Sequence, residues 1–358
     1  MFVNMNPFPL RLQSARQRAG MSLRDLSLAM GSRVSHTALN RYEKGVMKPD
    51  GSVLVELSKA LNVRTDYFFR EPILEITEIE FRKKAKLTQR ELKSIKLTVK
   101  DEVERYLELE GYLDAQVSWR NPLAGKRISL PTDIEWAVAL LQDEWDLGSN
   151  ALPNITVMLE ERGIKVVEIE ASQAFDGFSG WGNSSIPIIV VNKTFTVERK
   201  RFTLLHELAH LVLEFDERLE PRQREYLCHR FAGAMLLPEG VALRTLGPMR
   251  ASLTMLELVA LKEQCGISIQ AIMARAKDLQ IIGGETYVRF RKRVNTDPNL
   301  KLEQGYGAYR GTESPQRFNQ LLCRAASERI VSMSKAASLA GMRVSAVRVL
   351  LDSGYLVQ

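Results

Sequence analysis

Apolar positions from Leu10 to Tyr67 recur at short helical spacings, and the recurrence breaks at Gly20, Gly31, Gly45 and Gly51. That pattern predicts about five short helices folded into a compact bundle. Ser22 can cap a helix running to Met30, and after a turn at Gly31, Ser35 can cap a second over His36–Glu43. Two short helices around a tight turn make a helix-turn-helix. Apolar spacing resumes over 91–114 on a charged amphipathic helix, through Leu92, Ile95, Val103, Tyr106 and Leu109. Its heptads are too few for a coiled coil, which leaves two readings, docking on the rest of the chain or dimerising. The loop WRNPLAGKRISLP, with Pro122, Gly125 and Pro131, places a boundary near 125–131.

Helices over 133–145 and 151–162 come next, then strands GIKVVEIEA, FDGFSGWG and IPIIVVN, then a long helix from Thr196. A polar connector follows Tyr287, and helices resume from Gln316 to Ser353. Within that tail, 334–340, a turn at Gly341 and 344–351 repeat the helix-turn-helix outline. We read them as a helical cap on the body in preference to a second DNA contact. The expected class is α+β: an all-α bundle over 1–70, a helical linker or dimerisation segment over 71–130, a mainly helical body with a small sheet over 131–290, and a helical region over 291–358.

Composition, 45% hydrophobic and 26% charged, is that of a folded globular chain and excludes disordered, collagen-like and small disulfide-scaffold classes. Charge adds more. Residues 1–70 hold eleven Lys and Arg against five Asp and Glu, or +6 of the net +7, so the other 288 residues contribute only +1. A basic bundle on a nearly neutral body points to a polyanionic partner, nucleic acid above all. No run approaches the ~18 apolar residues of a membrane span, and MFVNMNPFPLRLQSARQ lacks the pattern of a secretion signal. The expectation is a cytoplasmic protein without membrane contact. Cys228, Cys265 and Cys323 are odd in number and far apart, with no CxxC, which excludes a disulfide framework and a cysteine zinc ribbon. They are expected to be buried thiols.

The second helix of the predicted pair offers Ser35, His36, Thr37, Asn40 and Arg41, short hydrogen-bonding groups with one cation, suited to base edges in a major groove. Ala38, Leu39 and Tyr42 would face inward. The stretch RLQSARQRAGMSLRDLSLAMGSRVSHTALNRYEKGVMKP resembles the XRE family of Cro/repressor-type DNA-binding domains, and the RYEKG run carries most of the likeness. Two departures stand out: Leu23 and Arg24 lie where the family usually has a phosphate-holding Gln, and the turn from Gly31 to Val34 is longer than the common form. The resemblance implies a double-stranded DNA operator as partner and, because such domains read half-sites, a homodimer.

Of four histidines, two stand in RFTLLHELAHLVLE as His206 and His210. Four helical residues bring both imidazoles to one face, a turn apart, with room for one zinc ion between them. Glu207 lies beside the position such an ion leaves open, where it can take a proton from water. A catalytic zinc needs a third protein ligand, and Glu214, Asp216, Glu217, Glu220, Glu225 and His229 are the candidates. Glu214 is carried past the ion by a straight helix, whereas Glu225 and His229 share one face of the next helix.

The pair HELAH and EYLCHRFAGAMLLP resembles the ImmA/IrrE family of metallopeptidases, over about 131–290. The resemblance implies Zn2+ held by His206, His210 and Glu225, with Glu207 as catalytic base. Cys228 and His229 replace the family's usual Ala and Asn, so His229 is also a candidate for metal or substrate carbonyl. Ser179, Gly180 and Trp181 in the FSGW strand are expected near the cleft, where strand edges can pair an extended peptide. The implied function is a transcriptional regulator with a zinc endopeptidase that cuts a helix-turn-helix repressor, an antitoxin or itself. The alternative is a non-enzymatic regulator with a structural or sensory zinc, against which the presence of Glu207 argues.

Overall fold

The computed structural model describes residues 6–77, 87–148 and 150–354. Residues 78–86 of the expected linker or dimerisation segment lie outside the described residues. The N-terminal bundle comprises α1 (Phe8–Arg18), α2 (Leu23–Ala29), α3 (His36–Glu43) and α4 (Gly51–Ala60), closed by a 3-10 turn at Thr65–Phe69 where a fifth helix was expected. Leu12, Leu26, Leu39, Leu57 and Phe68 are fully buried at its centre. Ser22 and Asp25 form a reciprocal cap on α2, and the Ser35 hydroxyl accepts the Ala38 N–H at the start of α3. Between these helices Gly31 and Ser32 both take left-handed backbone, with φ of 66° and 59°. The Ser27 hydroxyl pins the turn by donating to the Val34 carbonyl at 2.7 Å. Within RYEKG, Glu43 takes a two-pronged contact from Arg16 at 2.6 and 2.8 Å, clamping α3 to α1.

After β1 (Ile76–Thr77) comes α5 (Gln89–Leu113), started by a reciprocal cap between Thr88 and Glu91. Its apolar stripe is used within the chain. Val99 and Val103 pack with Leu74, Phe178 and Val190 beneath the sheet, while Tyr106 and Leu109 pack with Leu322 and Leu339 of the C-terminal helices. On its remaining flank Glu104 meets Arg11 at 2.6 Å and Asp101 meets Arg18 at 2.7 Å, so the N-terminal bundle rests on this helix.

The body runs β2 (Arg127–Ile128), α6 (Asp133–Glu144), α7 (Ile155–Glu161), β3 (Lys165–Ile169), β4 (Gly177–Gly182), β5 (Ile186–Asn192), α8 (Val197–Val212), β6 (Glu214–Phe215) and α9 (Pro221–Leu236). It continues with α10 (Glu239–Leu246), α11 (Met255–Cys265), α12 (Ile269–Asp278), α13 (Gly284–Thr296) and α14 (Pro298–Leu302). The chain closes with α15 (Arg317–Ser327), α16 (Met333–Ala340) and α17 (Val344–Gly354). The fold is mostly helical α+β. One sheet has the order β1-β4-β5-β3, with β4 antiparallel to β5 and β3 parallel to it, and α8 lies across β4 and β5.

Four expectations need correction. β4 is an inner strand, because Ile76 and Thr77 pair with Gly182 and Trp181; peptide pairing at those two positions would have to displace β1. The expected connector after Tyr287 contains α13, whose Tyr287 and Phe290 pack against the body's core and whose Val294 is buried. The helix expected from Ala151 starts only at Ile155, capped by Asn154. Cys323 is partly exposed, whereas Cys228 and Cys265 are buried, and all three are free thiols.

Arg201 on α8 is fully buried. Its guanidinium meets Glu313 at 2.5 Å and donates to the carbonyls of Leu152 at 2.6 Å and Gly266 at 3.2 Å. Glu313 in turn accepts the Ile155 and Thr156 N–H groups at 3.0 and 2.9 Å, covering the start of α7. One ion pair therefore ties α7, α8, the end of α11 and the segment before α15 together.

Candidate metal centre

α8 carries RFTLLHELAH against the sheet, and the apolar Leu204, Leu205, Leu208 and Ala209 beside the motif are fully buried. That packing aims His206 and His210 toward α9, the helix with which α8 makes its most extensive helix contact. The two Nε2 atoms are 3.1 Å apart. Glu225 reaches them from the second turn of α9, with Oε1 3.3 Å from His210 Nε2 and Oε2 3.6 Å from His206 Nε2. Among the described residues these three form a His/His/Glu group whose candidate ligand atoms lie within 4.8 Å of one another. Atoms bound about 2.0–2.1 Å from a tetrahedral ion stand roughly 3.3 Å apart, so the spacing fits a divalent metal of that size. The adjoining His206 and His210 imidazoles hold the Glu225 carboxyl well below the usual carboxylate range. His206 is fully buried, while the Glu225 side chain is 40% exposed, so the centre opens on the α9 side.

Glu207 is buried beside this group, and the Ser179 hydroxyl donates to its Oε2 at 3.0 Å. Ser179 comes from β4, which places that strand directly against the catalytic-base candidate. Gly180 is buried next to it, and Trp181 is half-buried against the main core.

Three other carboxylates considered from sequence are engaged elsewhere. Glu214 accepts the Gly125 N–H at 2.8 Å, Asp216 pairs with Arg218 at 2.9 Å, and Glu220 caps α9. Glu217 has its place on the loop before α9, outside the converging group. His229 stacks on Phe202 with ring centroids 5.8 Å apart and stands 4.5 Å from the His206 ring, beside the converging group rather than in it.

Sequence reasoning missed a role for Cys228. Its buried Sγ lies 3.7 Å from His210 Nδ1, on the ring side away from Glu225, and burial pushes the thiol up. The available signal was its position three residues beyond Glu225 on one helix face. Arg201, one turn before the motif, carried no local signal at all.

At the other end of the chain, α3 presents Ser35, His36, Thr37 and Arg41 to solvent and Asn40 half-buried, over buried Leu39 and Tyr42. Ser35 serves as helix cap, so one of its hydrogen-bonding positions is already taken.

Comparison with known families finds two separate matches. Residues 12–68 match a helix-turn-helix family, and residues 159–277 match the family of the IrrE N-terminal-like domain, a peptidase family. No curated protein matches the chain.

Proposed function

From a chain that joins an XRE-type helix-turn-helix to an IrrE-like peptidase domain, we propose a DNA-binding transcriptional regulator carrying its own zinc endopeptidase. The convergence of His206, His210 and Glu225 beside buried Glu207 carries the peptidase reading. Two nitrogens and one carboxylate oxygen at tetrahedral spacing suit zinc, with one position left for chemistry. Once bound, the ion would act as a Lewis acid, acidifying water and polarising a peptide carbonyl. Glu207, oriented by Ser179, takes a proton from the attacking water and returns it to the departing amine. The Cys228 thiol, as acceptor for His210 Nδ1–H, would hold that ring with Nε2 toward the metal.

The substrate class is a helix-turn-helix repressor, an antitoxin or this chain itself, and a homodimer in the cytoplasm would place two α3 helices on a two-fold operator. Coexpression with each protein encoded beside it, under ordinary and DNA-damaging conditions, tests the reading. Loss of a partner on an immunoblot supports it; stable partners in every condition count against it.

The ligand assignment makes its own prediction. Glu225→Ala is expected to weaken zinc binding by more than the roughly 10- to 100-fold that loss of a supporting residue costs, while His229→Ala retains it. Chelator competition on the purified variants measures both, and the reverse order would move the ligand role to His229.

For the DNA half, Asn40→Ala and His36→Ala are each expected to cost about 1–3 kcal/mol on the operator and little on random DNA. Gel-shift titrations on operator and scrambled duplexes read the difference. Equal losses on both would remove these residues from base reading.

A further inference from the structure

A cavity of about 570 Å³ lies where three parts of the chain meet: the corner between α4 and the 3-10 turn of the N-terminal bundle, one flank of α5, and the turn between α16 and α17. That volume is within the range of small-molecule sites, which favour such junctions. Its walls are unusually cationic. Arg18, Arg64, Arg70, Arg105 and Arg343 line it, against the carboxylates Asp101 and Glu102.

The carboxylates nearby are already shared. Asp101 meets Arg18 at 2.7 Å and Arg105 at 3.3 Å, and Asp66 meets Arg64 at 3.3 Å and Arg70 at 3.8 Å. Five guanidiniums thus face three acids, and Arg343 makes no ion pair among the described residues. Burial also pushes the Glu102 carboxyl up, toward its uncharged form. Arg70 has a buried Nε–H without a hydrogen-bond acceptor. Leu61, Val63, Ala340 and Met342 complete the wall with apolar surface.

We infer that this cavity is a binding site for a small organic anion, its carboxylate or phosphate held by the arginines and its apolar part against Leu61, Val63 and Met342. Guanidinium forks bind either group through paired, charge-assisted hydrogen bonds, and a cationic recess with low-dielectric walls concentrates anions. The site spans the seam between the DNA-binding bundle and the C-terminal helices, where Arg70 already donates to the Ser338 carbonyl at 2.7 Å and Asp66 accepts from the Ser338 hydroxyl. A bound anion adds a bridge across that seam and stabilises the docked position of the bundle. The inference is independent of the peptidase reading.

The test uses the full-length protein with four probes: citrate and octanoate as the carboxylate arm, pyrophosphate and AMP as the phosphate arm. Each is titrated calorimetrically and by thermal unfolding against sodium chloride of equal ionic strength. At least one probe is expected to bind and to raise Tm by a few degrees at saturation. Arg343→Glu, at an exposed turn position, and Met342→Trp, which fills the cavity, are each expected to weaken that binding by about tenfold or more while the unliganded Tm and zinc content stay unchanged. Absence of binding by every probe beyond the salt control overturns the site, and so does undiminished affinity in Arg343→Glu.

Discussion

Glu207→Gln is expected to keep fold, zinc and DNA binding while lowering proteolysis of the partner by roughly a hundredfold to ten-thousandfold. The amide has nearly the carboxylate's volume and can still accept the Ser179 hydroxyl hydrogen bond, so the buried site loses little packing. It cannot take a proton from water, and that is the step asked of it. Glu207 is outside the converging His206, His210 and Glu225 group, which is why metal content should not follow activity. Immunoblots of the coexpressed partner, with metal analysis of both purified proteins, check the two halves together. A variant that clears the partner as fast as wild type would mean that another group is the base. If neither protein clears any partner, while zinc removal still unfolds the body or weakens DNA binding, the zinc is structural and the protein is a non-enzymatic regulator.

Arg201→Met is expected to destabilise the body by about 3–5 kcal/mol. The pair it breaks is fully buried on both sides, and Met would leave the Glu313 carboxylate without its cation, held only by the N–H groups of Ile155 and Thr156 and the Thr156 hydroxyl. Glu313→Gln in the same background removes the stranded charge, so the double variant should lose markedly less than the sum of the two single changes. All four tryptophans lie between Trp119 and Trp181, so their emission during urea unfolding reports on this part of the chain. A loss below about 1 kcal/mol for Arg201→Met would show that the pair contributes little beyond what an apolar side chain supplies. Because Arg201 stands five residues before His206 on α8, a measurable loss of zinc affinity in the same variant would tie the network to the site's geometry.

Much of the chain was legible one segment at a time. Glycines at 20, 31 and 45 and caps at Ser22 and Ser35 mark the short helices of the bundle, because a left-handed turn or an orphan N–H is satisfied by residues only a few positions away, whereas Gly51 opens α4 itself. The i, i+4 spacing of His206 and His210 brings their rings together on any helix that contains them. α13 was also available in principle, since Tyr287, Phe290 and Val294 fall at helical spacing. The glycines at 283 and 284 and the basic run after them hid it.

By itself the sequence determined the two chemistries and their order: a basic helix-turn-helix first, an HExxH helix later. Tertiary structure decided the rest. Which of six candidates reaches the two imidazoles depends on how α9 packs on α8, and β4 becomes an inner strand only because Ile76 and Thr77 return to it across 100 residues. The Arg201–Glu313 pair, 112 positions apart, and the arginine-lined cavity likewise join residues far apart in the chain. Local periodicity carries no signal for such meetings, because they are selected by the packing of whole elements and by the cost of leaving buried charge unpaired.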